Sequence, residues 1–324
     1  MKALVFEEPR RAVVRDLDVP TIGEDEVLVR SRNVGICHSD FELYEGRYII
    51  PVTYPIIPGH EWAGEIAEVG SGVATLRPGD RVVGECVVNN GDDHFGFSIS
   101  GANAEYFVTK ASWLHRIPDE LSFTQGAFVE PFSVAYSAAV AAGGIDASDD
   151  VAVIGGGPIG LLCAMTAATM GGSVTLIEPQ EQRRSLGLAV GATRTIDPSA
   201  GAVSEQVAEA TGGRGFSVVI EAAGAPAAMA SAFPIAALGA RIVLVGIDIG
   251  GSVPVEIGLV QSKALQVRGI IGSAGLWPRT IRFMATSGVD PTPLLTATFP
   301  LGEGNAALAA ARDTTRNVKV QLEC

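Results

Sequence analysis

The sequence has few charged residues, and few of those are basic. Charged side chains make up 18% of the 324 residues and hydrophobic ones 47%, a balance that excludes intrinsic disorder as the main state. The chain contains 23 lysines and arginines against 36 aspartates and glutamates, which gives a net charge of −13. We therefore expect neither a nucleic-acid partner nor binding to an anionic membrane surface.

Cysteine is also scarce. The four cysteines lie far apart and form no CxxC motif, which excludes a disulfide scaffold and favours a reducing compartment. The segment Met1–Glu8 becomes acidic too early for a signal peptide, so we expect a cytoplasmic protein. Two long uncharged segments, Val151–Ile177 and Ala222–Ala240, are interrupted by glycine or proline, and we expect no membrane-spanning helix.

The distribution of strands and helices predicts an α/β protein with two domains. Residues 1–142 and 290–324 contain short Val- and Ile-rich segments bounded by Gly, Pro and Asp, as in a small β-barrel or sandwich. Residues 143–289 alternate apolar runs with helical segments, which is typical of a doubly wound parallel sheet. The predicted strands of that sheet are Val151–Ile154, Val174–Ile177, Thr193–Ile196, Val218–Ile220, Ile242–Val245 and Val267–Ile271.

A glycine-rich motif follows the first of these strands. Its GxGxxG pattern is formed by Gly155, Gly157 and Gly160, with Pro158 and Ile159 between the last two glycines. The first glycine permits a tight turn, the second lets the backbone approach a pyrophosphate, and the third lets the helix pack on the strand. Because the motif opens a predicted helix, we expect a dinucleotide to bind here.

The end of the next predicted strand carries an acid that would select the cofactor. Glu178 follows the glycines by about 20 residues, where a carboxylate binds the ribose hydroxyls of NAD. A carboxylate at this place would repel the 2′-phosphate of NADP, so NAD is favoured. Arg183 and Arg184 come soon after and either could bind that phosphate, so NADP stays open as an alternative.

A second set of residues has the donor atoms of a catalytic zinc site, which takes three protein ligands and leaves one position open. Cys37 and His60 are the first two candidates, and Glu61 and Glu130 compete for the third place. Asp40 lies too close to Cys37 in sequence to ligate beside it. We expect Asp40 instead to orient the His60 ring through its other nitrogen.

These motifs resemble the zinc-dependent medium-chain alcohol and polyol dehydrogenases, the sorbitol dehydrogenase-like enzymes in particular. The resemblance covers essentially the whole chain. It implies a GroES-like catalytic domain and a Rossmann domain, with the active site in the cleft between them. The family signature GHExxGxxxxxGxxV and a CxSD element are met by Gly59, His60, Glu61, Gly64, Gly70, Val73, Cys37, Ser39 and Asp40.

The resemblance also implies a role for individual residues. Cys37, His60 and Glu130 become the zinc ligands, with Glu61 as the alternate. Ser39 receives the substrate proton and passes it on through His38 or Glu42. The glycine turn, Glu178 and Arg183 become cofactor-binding residues. Ala223 and Val245 lie beside the nicotinamide, and Lys319 contacts the pyrophosphate.

Two departures from the family pattern matter. Relatives often carry four cysteines after the GDRV element and bind a structural zinc there, whereas this chain has only Cys86 in that region. We therefore predict one catalytic zinc per chain and no structural zinc. Relatives also often carry a histidine five positions after the first cysteine, where this chain has Glu42, so either Glu42 or water takes over the proton relay.

We predict a zinc-dependent oxidoreductase that transfers a hydride from a secondary alcohol of a polyol, sugar or cyclitol to NAD. Its partner is a small-molecule substrate, and by analogy with the family the chain forms a homodimer or homotetramer. Two alternatives within the fold are an L-threonine or amino-cyclitol dehydrogenase and a zinc-free quinone or enone reductase. A third alternative is a non-catalytic nucleotide-binding protein. The candidate zinc ligands argue against this alternative and against the zinc-free reductase.

Overall fold

The structure of the chain is a computed structural model that describes residues 1–247, 251–273 and 275–324. These residues form two compact units. One unit consists of Met1–Glu130 with Trp277–Cys324, and the other consists of Pro131–Leu276. The units change over near residues 130 and 277, and the domain bounds predicted from the sequence were 142 and 290.

Two helices account for this difference in bounds. Most of the helix Val129–Ala141 belongs to the second unit, where Ser133 shares a hydrogen bond with Ser273. The helix Trp277–Thr286 belongs to the first unit, where its first residue stacks on the ring of His115 at 5.9 Å. Helical periodicity alone does not show which sheet a helix packs against.

The first unit consists mainly of strands, as predicted. Helix α1 spans His38–Tyr44 and the short helix α2 spans Phe123–Gly126. A capping box of Ser122 and Gln125 begins α2. The strands of this part are β1 (Lys2–Glu8), β2 (Arg11–Asp16), β3 (Glu26–Ile36), β4 (Glu61–Val69), β5 (Arg81–Gly84), β6 (Val87–Val88), β7 (Asp93–His94), β8 (Tyr106–Lys110) and β9 (Leu114–Arg116).

The second unit alternates helices and strands. Its helices are α3 (Val129–Ala141), α4 (Pro158–Thr169), α5 (Glu181–Ala189), α6 (Val203–Thr211), α7 (Pro226–Ser231) and α8 (Gly258–Ser262). Its strands are β10 (Asp150–Ile154), β11 (Ser173–Ile177), β12 (Arg194–Ile196), β13 (Phe216–Glu221), β14 (Ala236–Leu244) and β15 (Gln266–Gly269).

These strands form one parallel sheet in the order β12-β11-β10-β13-β14-β15, which confirms the predicted doubly wound sheet. The strands are short and apolar because the central ones are buried on both faces, as in β10, where four of five residues are buried. The strand order reverses between β10 and β13. Ligands of such sheets bind outside the carboxyl ends of the strands at this reversal.

The C-terminal part of the chain returns to the first unit. It contains α9 (Trp277–Thr286), β16 (Leu295–Pro300), α10 (Gly304–Arg312) and β17 (Lys319–Glu323). Strand β17 joins a seven-stranded sheet in the order β16-β17-β3-β4-β5-β9, with β8 also paired to β3. Gly35 of β3 lies opposite Gln321 of β17 and opposite Glu61 of β4, so residues far apart in sequence meet here.

Apolar side chains fill both units. In the first unit Trp62, Phe95 and Phe107 pack together with ring centroids 4.7–5.9 Å apart. The four cysteines are free thiols. In the described parts of the chain, no helix combines the length and the hydropathy that crossing a bilayer requires.

Candidate functional site

The end of β3 places the first candidate ligand. Strand β3 ends at Ile36, and Cys37 caps the N-terminus of α1. The Cys37 N–H donates to Asp40 Oδ2 at 2.8 Å, which satisfies one of the free amides at the start of the helix. The thiol is therefore held at a fixed junction between a strand and a helix.

Cys37, His60 and Glu61 come together as the Cys37 cluster. One ligand atom from each of them lies within 4.8 Å of the other two, and within the described residues no other group of His, Cys, Asp and Glu meets this condition. His60 is 4% exposed and Glu61 is 1% exposed, whereas Cys37 is half-buried. A thiol, an imidazole and a carboxylate at such spacing form a donor set that suits Zn²⁺.

Asp40 faces the His60 ring, as the sequence predicts. Its Oδ1 lies 3.6 Å from Nδ1 of His60, and both side chains are almost fully buried. Burial alone would lower the pKa of His60, but the nearby charges of Asp40 and Cys37 outweigh it and hold the pKa well above its ordinary value. Because Nδ1 faces Asp40, Nε2 is the ring nitrogen left for another partner.

Lys319 pairs with Glu61 of the Cys37 cluster. Its ammonium forms a buried ion pair with Glu61 and donates to the carbonyl of Ile36 at 3.2 Å, with only 2% of the side chain exposed. Burial would lower the pKa of Lys319, yet the Glu61 carboxylate raises it above its ordinary value. Lys319 thus compensates a carboxylate inside the first unit, and its contact with the pyrophosphate stays a prediction.

Glu130 lies near the Cys37 cluster without being part of it. Burial raises its pKa to about 7, and the charges of His60 and Lys319 oppose this rise while that of Glu61 adds to it. These electrostatic effects show that Glu130 shares the environment of the cluster. The structure therefore brings Glu61 into the cluster and holds Glu130 beside it.

An aromatic stack covers one side of the cluster. The Phe97 ring lies 4.6 Å from the His60 ring, and Tyr48 stacks on Phe97 at 4.3 Å with the planes 7° apart. Burial raises the pKa of Tyr48. Sequence reasoning missed Tyr48, because it stands in a loop with no motif around it, and missed the pairing of Lys319 with Glu61.

The predicted relay residues share helix α1. His38 Nε2 lies 3.6 Å from Glu42 Oε1, and Arg47 approaches the same carboxylate at 3.5 Å. The His38 side chain is 84% exposed, while Ser39 is partly buried next to Cys37. The His38 end of this contact is therefore open to solvent.

The glycine motif forms a tight turn between β10 and α4. Gly155 has a φ of +98°, a conformation that strongly favours glycine. A methyl group on Gly160 would overlap the Gly155 carbonyl oxygen, whereas a methyl group on Gly157 would meet no atom within 4 Å. Gly157 caps α4, followed by Pro158 in the first helical turn and then Ile159. The space beside Gly157 is therefore open at the end of the helix that attracts anions.

Glu178 lies at this turn. Its Oε2 accepts the N–H of Gly156 at 2.6 Å and its Oε1 accepts the N–H of Gln180 at 2.9 Å. Arg184 is engaged elsewhere, because it donates to the Glu178 carbonyl and pairs with Asp197 at 3.2 Å. Arg183 occupies the neighbouring position in α5.

Two further loops lie at the same end of the sheet. Ala223 follows β13 and Val245 follows β14. A methyl group on Gly155 would lie 2.9 Å from Ala223, so the first of these loops contacts the glycine turn. The predicted cofactor residues thus follow the carboxyl ends of β10, β11, β13 and β14, with two exceptions. Arg183 lies in α5 and Lys319 lies in β17.

Comparison with known proteins gives matches in both parts of the chain. Residues 23–119 match the family model of the alcohol dehydrogenase GroES-like domain, and residues 158–286 match that of the zinc-binding dehydrogenases. Both matches agree with the predicted fold class.

The relatives match along nearly their whole length. The chain is 32% identical to a sorbitol dehydrogenase of Bacillus subtilis (strain 168), over 96% of this chain and 93% of that one. It is 31% identical to a D-xylulose reductase of Morganella morganii, over 98% and 99%. A crystal structure from Sinorhizobium meliloti 1021, described as a zinc-binding dehydrogenase bound to NADP, has a TM-score of 0.91 at 30% identity and covers 100% of this chain and 99% of that one.

Proposed function

Because the chain belongs to the zinc-dependent medium-chain polyol dehydrogenases, we propose that it oxidises a secondary alcohol of a polyol, sugar or cyclitol with NAD and one catalytic zinc. The observation that carries this proposal is the Cys37 cluster, in which a thiol, an imidazole and a carboxylate approach within 4.8 Å. The glycine turn with Glu178 supplies the dinucleotide side of the reaction.

The residues of the cluster fit a zinc ion. Their donor atoms are sulfur, nitrogen and oxygen, and these three atoms lie within 4.8 Å of one another. Cys37 and His60 would hold the metal with Glu61 as third ligand, and Glu130 is the alternate because it lies outside the cluster. When bound, zinc acts as a Lewis acid that lowers the pKa of the substrate hydroxyl.

The chain's own residues then orient groups and move the proton. Asp40 fixes the His60 ring and thereby the direction of its Nε2. Ser39 accepts the proton of the substrate hydroxyl. His38 and Glu42, which lie 3.6 Å apart on α1, pass that proton to solvent.

Glu178 supports NAD as the cofactor. Its carboxylate lies at the glycine turn and would accept hydrogen bonds from the ribose hydroxyls, and it would repel a 2′-phosphate. Arg184 is held by protein groups, which removes one of the two cations that would favour NADP. The NADP bound by the Sinorhizobium relative makes the cofactor comparison part of the test.

The names of the relatives favour a polyol substrate. Sorbitol and D-xylulose both carry oxygens on adjacent carbons. Two such oxygens can approach one metal ion together, which a simple alcohol cannot do. We therefore place straight-chain polyols ahead of cyclitols, and both ahead of L-threonine.

The test measures NADH and NADPH formation by the purified zinc-loaded protein with sorbitol, xylitol, inositol, L-threonine and ethanol. Cys37→Ala and His60→Ala should lose both zinc and activity, whereas the control Cys163→Ala, a buried cysteine of the other unit, should keep the zinc. Full turnover by zinc-free protein, or no turnover of any alcohol with zinc bound, would contradict the proposal.

A further inference from the structure

Glu221, the last residue of β13, connects two loops through four hydrogen bonds. Its side-chain Oε1 accepts the N–H groups of Ala223 at 2.8 Å and Gly224 at 3.0 Å. Its backbone carbonyl accepts the N–H groups of Val245 at 2.8 Å and Gly246 at 3.0 Å. One fully buried residue therefore fixes the loop after β13 and the loop after β14 relative to each other.

Both loops stand next to the glycine turn. Glu221 is paired in register with Ile154, the residue before Gly155, and the N–H of Ala222 donates to the Ile154 carbonyl at 2.9 Å. Glu178 lies after β11, on one side of the point where the strand order reverses. A dinucleotide whose first ribose binds Glu178 must extend toward β13 and β14 on the other side.

The second carboxyl oxygen of Glu221 has no partner. Its Oε2 makes no hydrogen bond, and among the described residues no cationic side chain pairs with Glu221. Gly246 packs so closely that a methyl group on it would lie 2.7 Å from this oxygen. A buried carboxyl without a cation is costly to keep unless it serves the arrangement around it.

We propose that Glu221 is the positioning residue for the nicotinamide half of the cofactor. Its side chain holds the loop after β13, which its backbone carbonyl ties to the loop after β14, and so sets the surface against which the nicotinamide ring would lie. The proposal rests on the proposed use of a dinucleotide.

The test compares Glu221→Ala with Glu221→Gln and uses two ligands, NADH and ADP-ribose, which lacks the nicotinamide. Loss of the acceptor for two backbone donors should weaken NADH binding by about tenfold. ADP-ribose binding should change by less than about threefold, because that ligand lacks the nicotinamide ring that would lie against the loop after β13. Glu221→Gln keeps an acceptor oxygen and should bind NADH within about threefold of the original protein.

A matched control separates positioning from a general loss of stability. Asp149 is also buried and accepts a hydrogen bond from Ser217 at 2.8 Å, but it lies at the opposite end of the sheet, before β10. Asp149→Ala should lower the unfolding temperature and leave NADH binding unchanged. With a substrate deuterated at the reacting carbon, Glu221→Ala should also increase the isotope effect on kcat, because a loosely held nicotinamide slows hydride transfer.

Unchanged NADH binding by Glu221→Ala, or an equal loss of NADH and ADP-ribose binding, would overturn the assignment. If Glu221→Ala does not fold, Glu221→Asp, which is one methylene shorter, takes its place in every comparison. If the original protein binds neither NADH nor ADP-ribose, the proposed function itself fails. That outcome differs from a failure confined to the Glu221 variants.

Discussion

The buried ion pair between Lys319 and Glu61 gives a quantitative test of the candidate metal centre. Both side chains are at most 2% exposed. Lys319→Met keeps the apolar stem but removes the charge, so Glu61 stays buried without its cation. Removing one partner of a buried pair costs about 3–5 kcal/mol, and we expect the zinc-free variant to lose that much free energy of unfolding.

Zinc should change this result. A divalent cation in the Cys37 cluster compensates the Glu61 carboxylate, so the zinc-loaded variant should lose less stability than the zinc-free one. The four states of the protein form a closed cycle, and the stability that zinc restores must equal the gain in zinc affinity. Each 1.4 kcal/mol restored therefore corresponds to about tenfold tighter zinc binding by the variant.

The assay is urea unfolding of both proteins with and without zinc, together with zinc affinity measured against a competing chelator. Lys263→Met is the control, because Lys263 donates to the carbonyls of Pro234 and Ala236 in the other unit. Its cost should be the same with and without zinc. A cost for Lys319→Met that zinc does not change, or weaker zinc binding by that variant, would refute the reasoning.

Three further predictions concern other parts of the molecule. Gly160→Ala should lose both stability and NADH binding, because its methyl group overlaps the carbonyl of the first glycine of the turn. Gly157→Ala should keep its unfolding temperature and lose NADH binding alone, because its methyl group meets no protein atom. Thermal unfolding and fluorescence titration with NADH measure the two effects separately. Asp80→Asn should lower the free energy of unfolding by about 1 kcal/mol at pH 7, because hydrogen bonds from Arg116 lower the pKa of Asp80 although burial alone would raise it. This stabilisation is lost as the pH falls through the lowered pKa, so the difference between variant and original protein in urea unfolding should begin to close near pH 4. Cys37 should be the first thiol that an alkylating reagent labels in zinc-free protein, since burial raises the pKa of the other three cysteines to about 12. If Cys37 is labelled equally fast in zinc-loaded protein, it is not a zinc ligand.

The parallel sheet could be predicted because burial on both faces leaves a plain pattern in the sequence. The predicted run Val151–Ile154 differs from β10 by one residue. The prediction for β14 was poorer, with Ile242–Val245 expected where the strand spans Ala236–Leu244. Its first half consists of alanine, leucine and glycine, which have little β-propensity, and pairing with β13 holds it in the sheet.

The candidate metal ligands could be found because each lies in a short local motif, but their electrostatic partners could not. Lys319 follows Glu61 by hundreds of residues, and they meet only because β17 and β4 both pair with β3 at Gly35. A register shift of one residue would turn the Lys319 side chain to the other face of the sheet. No local pattern in the sequence contains that information.

The register also explains why the centre tolerates so many buried acids. Asp40 and Glu61 are almost fully buried around the cluster, and Glu130 shares their environment. Lys319 supplies one positive charge, and the raised pKa values of His60 and Glu130 mean that protons offset part of the remaining negative charge. A divalent cation bound at a site arranged in this way would displace protons, so its affinity would rise with pH.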